Sequence, residues 1–305
     1  MTGDLRAADA IAREIEVQHA GHPASWYARA CIIYARVTDL EDTAGREEFF
    51  ALCDSCIAEC ERMETRSDHH SAELAYLHGS ALSAKALMMQ REGTTVRALR
   101  YLMGSRQEFQ AAIDLDSTFY DAYLGRGAYR YGAATNAKLL SWLPWIPSAE
   151  SGWNDMWLAV DRSRFSKYSA LSALVWFVIQ QKKYESADSI CQAGLKRFPG
   201  SRSFLWPRLS IRMRQHEWAM AEETARELVA QYLANEGNNG YDVTGLYATL
   251  MTCADSLQRA EEAVEYARAG LSAYRKPDVA LRRQPTLKLM EQRLEQGGAA
   301  RSARD

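Results

Sequence analysis

Apolar residues along this chain recur at helical spacing rather than alternating. Leu171, Leu174, Val175 and Val178 mark one face of a helix, which Lys182 and Lys183 close. Ala187, Cys191, Gly194 and Leu195 form the inner stripe of a second helix, and Phe198-Pro199-Gly200-Ser201 ends it, with Ser201 placed to cap the next. Small side chains at Ala187 and Gly194 let the two helices of such a hairpin approach closely. The same spacing predicts helices over 4–19, 25–38, 46–66, 71–90 and 95–114, another opening at Asp121, and a terminal helix from about Val279 to Glu295. The first ends at Gly21-His22-Pro23 and reads as the second half of a hairpin. Either a lone capping helix opens the array, or an N-terminal piece is missing.

The hairpin repeats. Tyr184-Glu-Ser-Ala187 aligns with Trp218-Ala-Met-Ala221 at an offset of 34 residues and with Ala260-Glu-Glu-Ala263 at an offset of 76. The eight residues beyond two periods are Leu233 to Gly240, LANEGNNG, whose Asn and Gly residues mark a longer turn. A 34-residue period, a small residue early in the second helix, apolar residues near its middle and a proline at its exit together resemble the tetratricopeptide repeat (TPR) family. The likeness is closest over 168–232, thinner over 244–275 and degenerate upstream, where Ser117 stands in the place that the family gives to proline. The order of helix pairs, with Leu139-Leu140-Ser-Trp-Leu-Pro144 and Gly152, is more loosely similar to the IML2 and TTC39-like branch. The resemblance implies an all-α, right-handed superhelical solenoid of about six antiparallel helix pairs. It would form one domain over 1–296 with an aromatic insert at about 136–157. From Gly297 to Asp305 no apolar periodicity remains, so 297–305 is expected to be a disordered tail.

The stretch from Asn136 to Trp157 interrupts the pattern and carries four of the chain's eight tryptophans, Trp142, Trp145, Trp153 and Trp157. Pro144 and Pro147 forbid one continuous helix through it, so a short turn over Leu139 to Leu143 should give way to a new helix near Ser148. Trp142, Trp145 and Ile146 could form an apolar lip that grips a partner or touches a membrane surface. They could equally plug the interior, and the plug is preferred because large exposed apolar patches are uncommon on soluble monomers.

Composition narrows the function. With 37 basic against 39 acidic residues, a net charge of -2 leaves no basic surplus for a phosphate backbone, so nucleic-acid partners are not expected. The longest nearly apolar run, Leu171 to Ile179, is half of the roughly 18 residues that suggest a membrane span, and no apolar core of signal type stands at the start. A soluble, cytoplasmic chain is expected, or a periplasmic one if a leader has been removed. Six cysteines are too sparse for a disulfide framework and lean toward a reducing compartment. Cys53, Cys56 and Cys60 share one helical face and could join His69 or His70 at a metal. Zinc sites instead place close cysteine pairs on turns, so buried apolar packing is preferred and neither metal nor cofactor is expected.

No Gly-x-Ser-x-Gly elbow, His-Glu-x-x-His pair or phosphate loop occurs, and the histidines form no triad, so a non-catalytic protein is expected. Tyr120, Tyr123, Tyr129 and Tyr131 with Gly125, Gly127 and Gly132 read as packing between repeats. In TPR arrays the first helices line the concave groove. That resemblance points Ser172, Trp176, Ile179 and Gln180, then Trp206, Ser210, Met213 and Arg214, into it. The family's basic and amide clamp for a C-terminal carboxylate finds no counterpart at Ser172, Trp176, Trp206 and Ser210. An aromatic groove suits an apolar or helical peptide of a protein partner. The alternative is a small apolar ligand or lipid carried in a pocket beside the insert.

Overall fold

The computed structural model describes residues 5–41, 44–66, 71–136, 148–274 and 276–302. Among these residues there are fifteen α-helices and no strand, so the fold is all-α. In order they are α1 (Leu5–Gln18), α2 (Pro23–Leu40), α3 (Arg46–Arg66), α4 (Ala72–Arg91), α5 (Thr95–Leu115), α6 (Asp121–Asn136), α7 (Ala149–Arg162) and α8 (Lys167–Gln180). They continue as α9 (Tyr184–Arg197), α10 (Arg202–Arg214), α11 (Trp218–Leu233), α12 (Tyr241–Ser256), α13 (Ala260–Ala273), α14 (Pro277–Arg282) and α15 (Gln284–Ser302). Two compact units divide the chain. The N-terminal unit holds Asp4–Val37 with Thr43–Leu174, and the C-terminal unit holds Thr38–Asp42 with Val175–Asp305.

In the N-terminal unit, glycines set how closely neighbouring helices approach. A Cβ on Gly125 would stand 2.1–2.4 Å from three carbons of the Phe109 ring, so α5 and α6 meet there only because the side chain is absent. Gly127 of α6 and Gly152 of α7 do the same for each other. Asp121, only 4 % exposed, opens α6 and turns its carboxylate to the α7–α8 connection. It accepts hydrogen bonds from the backbone N–H groups of Arg164 (3.0 Å), Phe165 (2.8 Å) and Ser166 (2.6 Å). Asp155 of α7 takes a forked pair from Arg126 of α6 at 2.9 and 2.7 Å, and Arg130 adds a third bond at 2.9 Å. Ser148 caps α7, its Oγ accepting from Ser151 N–H at 3.1 Å, at the place where proline-interrupted chain was expected to become helical again.

The C-terminal unit contains the repeat. Within it Ala187 and Cys191, Ala221 and Ala225, and Ala263 and Ala267 occupy matching places of α9, α11 and α13, and all six are 0 % exposed. The turns that lead into those three helices match as well. Lys182, His216 and Gln258 each adopt a left-handed backbone, with φ of 60, 59 and 60°. In each turn the following N–H reaches back five residues to a carbonyl: Lys183 to Val178, Glu217 to Arg212 and Arg259 to Ala254, at 3.2, 2.9 and 2.8 Å. The longer turn before α12 holds itself with side-chain amides, Asn235, Asn238 and Asn239 each accepting a backbone N–H at 2.9 Å.

Residues 38–41 join this unit from far away in sequence. Leu40 is 5 % exposed and packs among Leu228, Tyr232 and Val243, and Asp39 pairs with Arg202 of α10. Asn239 Nδ2 and Arg282 Nη2 donate to the Glu41 carbonyl at 3.2 and 3.1 Å. The asparagine-rich turn therefore does more than lengthen a connection.

The end of the chain differs from the sequence expectation in two ways. The single terminal helix over 279–295 is instead α14 and α15, broken at Arg283, because Pro285 has no N–H to extend α14. Arg283 lies over the Tyr241 ring at 3.7 Å and donates to the Tyr241 carbonyl at 3.0 Å, which fixes the break. The helix does not stop at Gly297 either but continues to Ser302. A Cβ at Gly297 would sit 2.6 Å from Val264 Cγ2, so the glycine lets α15 press against α13.

Candidate peptide groove

The C-terminal half of α8 carries Leu174, Val175, Val178 and Ile179 toward the core, all at most 2 % exposed. That stripe puts Trp176 on the opposite face, 40 % exposed. Across from it α10 presents Trp206, Ser210, Met213 and Arg214. These five anticipated residues line one open pocket of about 490 Å³, together with Leu209 and Thr249. Leu209 is 4 % exposed and forms the floor.

Three anticipated residues lie elsewhere. Ile179 is 2 % exposed and belongs to the core, because it follows Val178 on the stripe that faces inward. Gln180 is exposed beyond the pocket, and half-buried Ser172 belongs to the N-terminal unit. Thr249 of α12 comes from the next repeat, beyond the two that supply the anticipated residues. Carrying the 42-residue spacing one repeat further points to Ala248, one residue short of it.

Trp206 is held by a buried chain of polar contacts. Its indole Nε1 donates to the Tyr232 hydroxyl at 3.0 Å, and that hydroxyl donates to Asp39 Oδ1 at 3.4 Å. Asp39 in turn takes both ends of the Arg202 fork, Nε at 2.7 Å. Burial, with the Asp242 and Asp39 charges nearby, pushes the Tyr232 phenol well above its ordinary range, so it stays a neutral donor. The indole plane is thus fixed before anything binds. Met213 packs with its sulfur 3.6 Å from Cys253 Sγ, and the exposed Arg214 donates from Nε to Ser210 Oγ at 3.3 Å. An apolar floor with two indoles and a guanidinium at the rim can hold a bulky apolar side chain flanked by an acidic group.

Among the insert residues, Trp153 is half-buried in α7 and meets Trp157 edge-on at 5.9 Å, with Trp157 39 % exposed. Trp142, Trp145 and Ile146 lie outside the described residues, as do His69 and His70. Cys53, Cys56 and Cys60 are 0 % exposed on one face of α3. Burial pushes the Cys53 thiol up to about 12, and Cys56 is pushed up by its hydrogen bond with Cys60 and by burial. These thiols pack as apolar groups, Cys53 against Phe49 and Ala30, and Cys56 and Cys60 against Leu74 and Leu77.

No family model and no curated protein matches the chain. Solved structures do. The C-terminal part of a TPR repeat-containing protein from Cytophaga hutchinsonii superposes with a TM-score of 0.50 at 14% identity, covering 88% of this chain and 95% of that one. The Cut9–Hcn1 hetero-tetramer of the APC/C gives a TM-score of 0.47 at 12% identity, covering 88% of this chain and 49% of that one. Yeast Tom70 gives 0.39 at 10% identity, covering 84% and 61%. The matching turns after α8, α10 and α12, the small buried stripe of α9, α11 and α13, and the likeness to the Cytophaga protein together identify the fold as a TPR-like array of helix hairpins.

Proposed function

We propose that this protein is a non-catalytic interaction scaffold whose C-terminal unit grips a peptide or helix of a protein partner. The observation that carries the reading is Trp176, a large aromatic left 40 % exposed on the face of α8 away from the buried Leu174, Val175, Val178 and Ile179, opposite the pre-set indole of Trp206. Rigid aromatics that lose little rotamer freedom are efficient anchors for a partner side chain. Arg214 adds a preference for an acidic residue beside the apolar anchor.

The test is selection from a peptide display library on the purified protein, followed by titration of the recovered peptides. Recovered sequences should share an apolar anchor next to Asp or Glu. Trp176→Ala should weaken their binding at least about tenfold, the size of a hot-spot loss, while leaving the melting temperature nearly unchanged. Peptides that bind Trp176→Ala as well as the parent would remove the groove from the proposal.

The likeness to the IML2 and TTC39-like branch adds nothing to this reading. Leu139–Pro144 lies outside the described residues, and Gly152 is explained by its contact with Gly127.

A further inference from the structure

His78 stands in the first half of α4, 7 % exposed, and its Nδ1 is buried without a hydrogen-bond partner among the described residues. Glu108 Oε2 of α5 stands 3.6 Å from it, too far for a hydrogen bond. Glu64 of α3 completes the group: one ligand atom from each of Glu64, His78 and Glu108 lies within 4.8 Å of the other two. Helix packing brings these three together. Gly79, next to His78, lets α5 come so near that a Cβ there would be 3.0 Å from Glu108 Cβ and 3.2 Å from the Phe109 ring.

As it stands the arrangement is costly. Two carboxylates face each other beside a buried imidazole nitrogen that makes no bond. A divalent cation among them relieves all three costs at once, because it neutralises the carboxylates and gives the nitrogen lone pair an acceptor. We infer that Glu64, His78 and Glu108 form a binding site for a first-row transition dication such as zinc, one ligand from each of three helices. The donor set of one imidazole and two carboxylates suits such an ion better than magnesium or calcium, which take oxygen ligands. Bonds of about 2.1 Å in a tetrahedral site put donor atoms about 3.4 Å apart. The half-buried Glu64 and Glu108 side chains can close that gap by turning about their own bonds. Three protein donors leave one position for water or a further ligand.

The site is tested by titrating zinc into the full chain against a chromogenic chelator, in a background with His19, His22, His69 and His70 changed to alanine. One equivalent should bind, and Glu64→Gln or Glu108→Gln should weaken it at least about tenfold by removing an ionised ligand. Both glutamates are only half buried, so these variants should keep the parent circular dichroism. Cobalt in place of zinc should give visible d–d bands without the near-ultraviolet thiolate bands that cysteine ligation produces, and His78→Asn should abolish them. Undiminished affinity in both glutamine variants, strong thiolate bands, or no saturable binding by the background protein would overturn the assignment.

Discussion

Lys182 and His216, 34 residues apart, hold the same left-handed backbone, with φ of 60 and 59°. Gln258 repeats it at 60°, and glycine takes the corresponding conformation at Gly93, with φ of 78°, in the α4–α5 turn. There Thr94 N–H reaches back to the Met89 carbonyl at 3.0 Å, as Lys183 does to Val178. Three of these four turns thus keep a residue with a Cβ where glycine would be unstrained.

Replacing Lys182 and Gln258 with glycine should therefore stabilise the C-terminal unit. A left-handed non-glycine residue costs about 1–2 kcal/mol, and the added freedom of glycine in the unfolded chain offsets part of that gain. The double variant should gain about 1 kcal/mol, read as a higher urea midpoint with an unchanged slope. A lower midpoint would mean that contacts of the two side chains outweigh the backbone strain.

Gly127 and Gly152 should tolerate no side chain. A Cβ on Gly127 would stand 2.7 Å from the Gly152 carbonyl oxygen, and one on Gly152 would stand 2.7 Å from the Gly127 oxygen and 2.5 Å from Tyr131 N. These are backbone atoms and cannot swing aside, so Gly152→Ala should cost about 3 kcal/mol or more. Gly132→Ala is the control, because among the described residues a Cβ there meets nothing within 4 Å. Chemical denaturation of the two variants compares them directly.

Asp121→Ala should be among the most damaging changes in the N-terminal unit. It leaves three backbone N–H groups at residues 164–166 without their acceptor, at a cost of about 3 kcal/mol or more. Asp121→Asn retains one oxygen, which can still serve Phe165 and Ser166, so it should lose about half as much. Hydrogen exchange at the three amides should speed up in the alanine variant, and unchanged rates would contradict the capping role.

Buried thiols give the protein an alkaline limit. Burial raises Cys191 to about 12 and Cys253 to about 11, both above an ordinary value near 9. A raised folded value favours the protonated form, so its contribution is complete below pH 9 and is lost as pH climbs through 11 to 12. The melting temperature should fall between pH 8 and pH 10.5, and less so in a Cys191→Ala/Cys253→Ala protein. At pH 8 a thiol reagent should label exposed Cys31 first, though slowly because partial burial of the thiol raises it to about 11, and leave the five buried cysteines until the protein unfolds.

Much of the fold was legible because helix periodicity and repeat spacing are local signals. The offsets of 34 and 76 residues between Ala187, Ala221 and Ala263 reappear as three fully buried alanines and three matching turns. The break at Arg283 is hidden in the sequence, despite Pro285, because the apolar spacing continues across it. Gly297 looked like a helix end because its use, contact with Val264, is tertiary. In the groove, exposure of Trp176 followed from the stripe that it opposes, whereas Ile179 was misplaced because four neighbouring apolar residues do not say which one faces out. Docking of Leu40 had no local signal at all. Nor did the meeting of Glu64, His78 and Glu108, which depends on the close approach allowed by Gly79.

Packing of residues 38–41 into the C-terminal unit affects how the protein is made. Ribosomal synthesis delivers Leu40 long before Leu228 and Val243, the residues that bury it. Residues 38–41 leave the exit tunnel first and must wait for the C-terminal core to be synthesised, and closing so long a loop is slow. A nascent chain arrested after α7 would display Asp39 and Leu40 without their partners, a state open to chaperones.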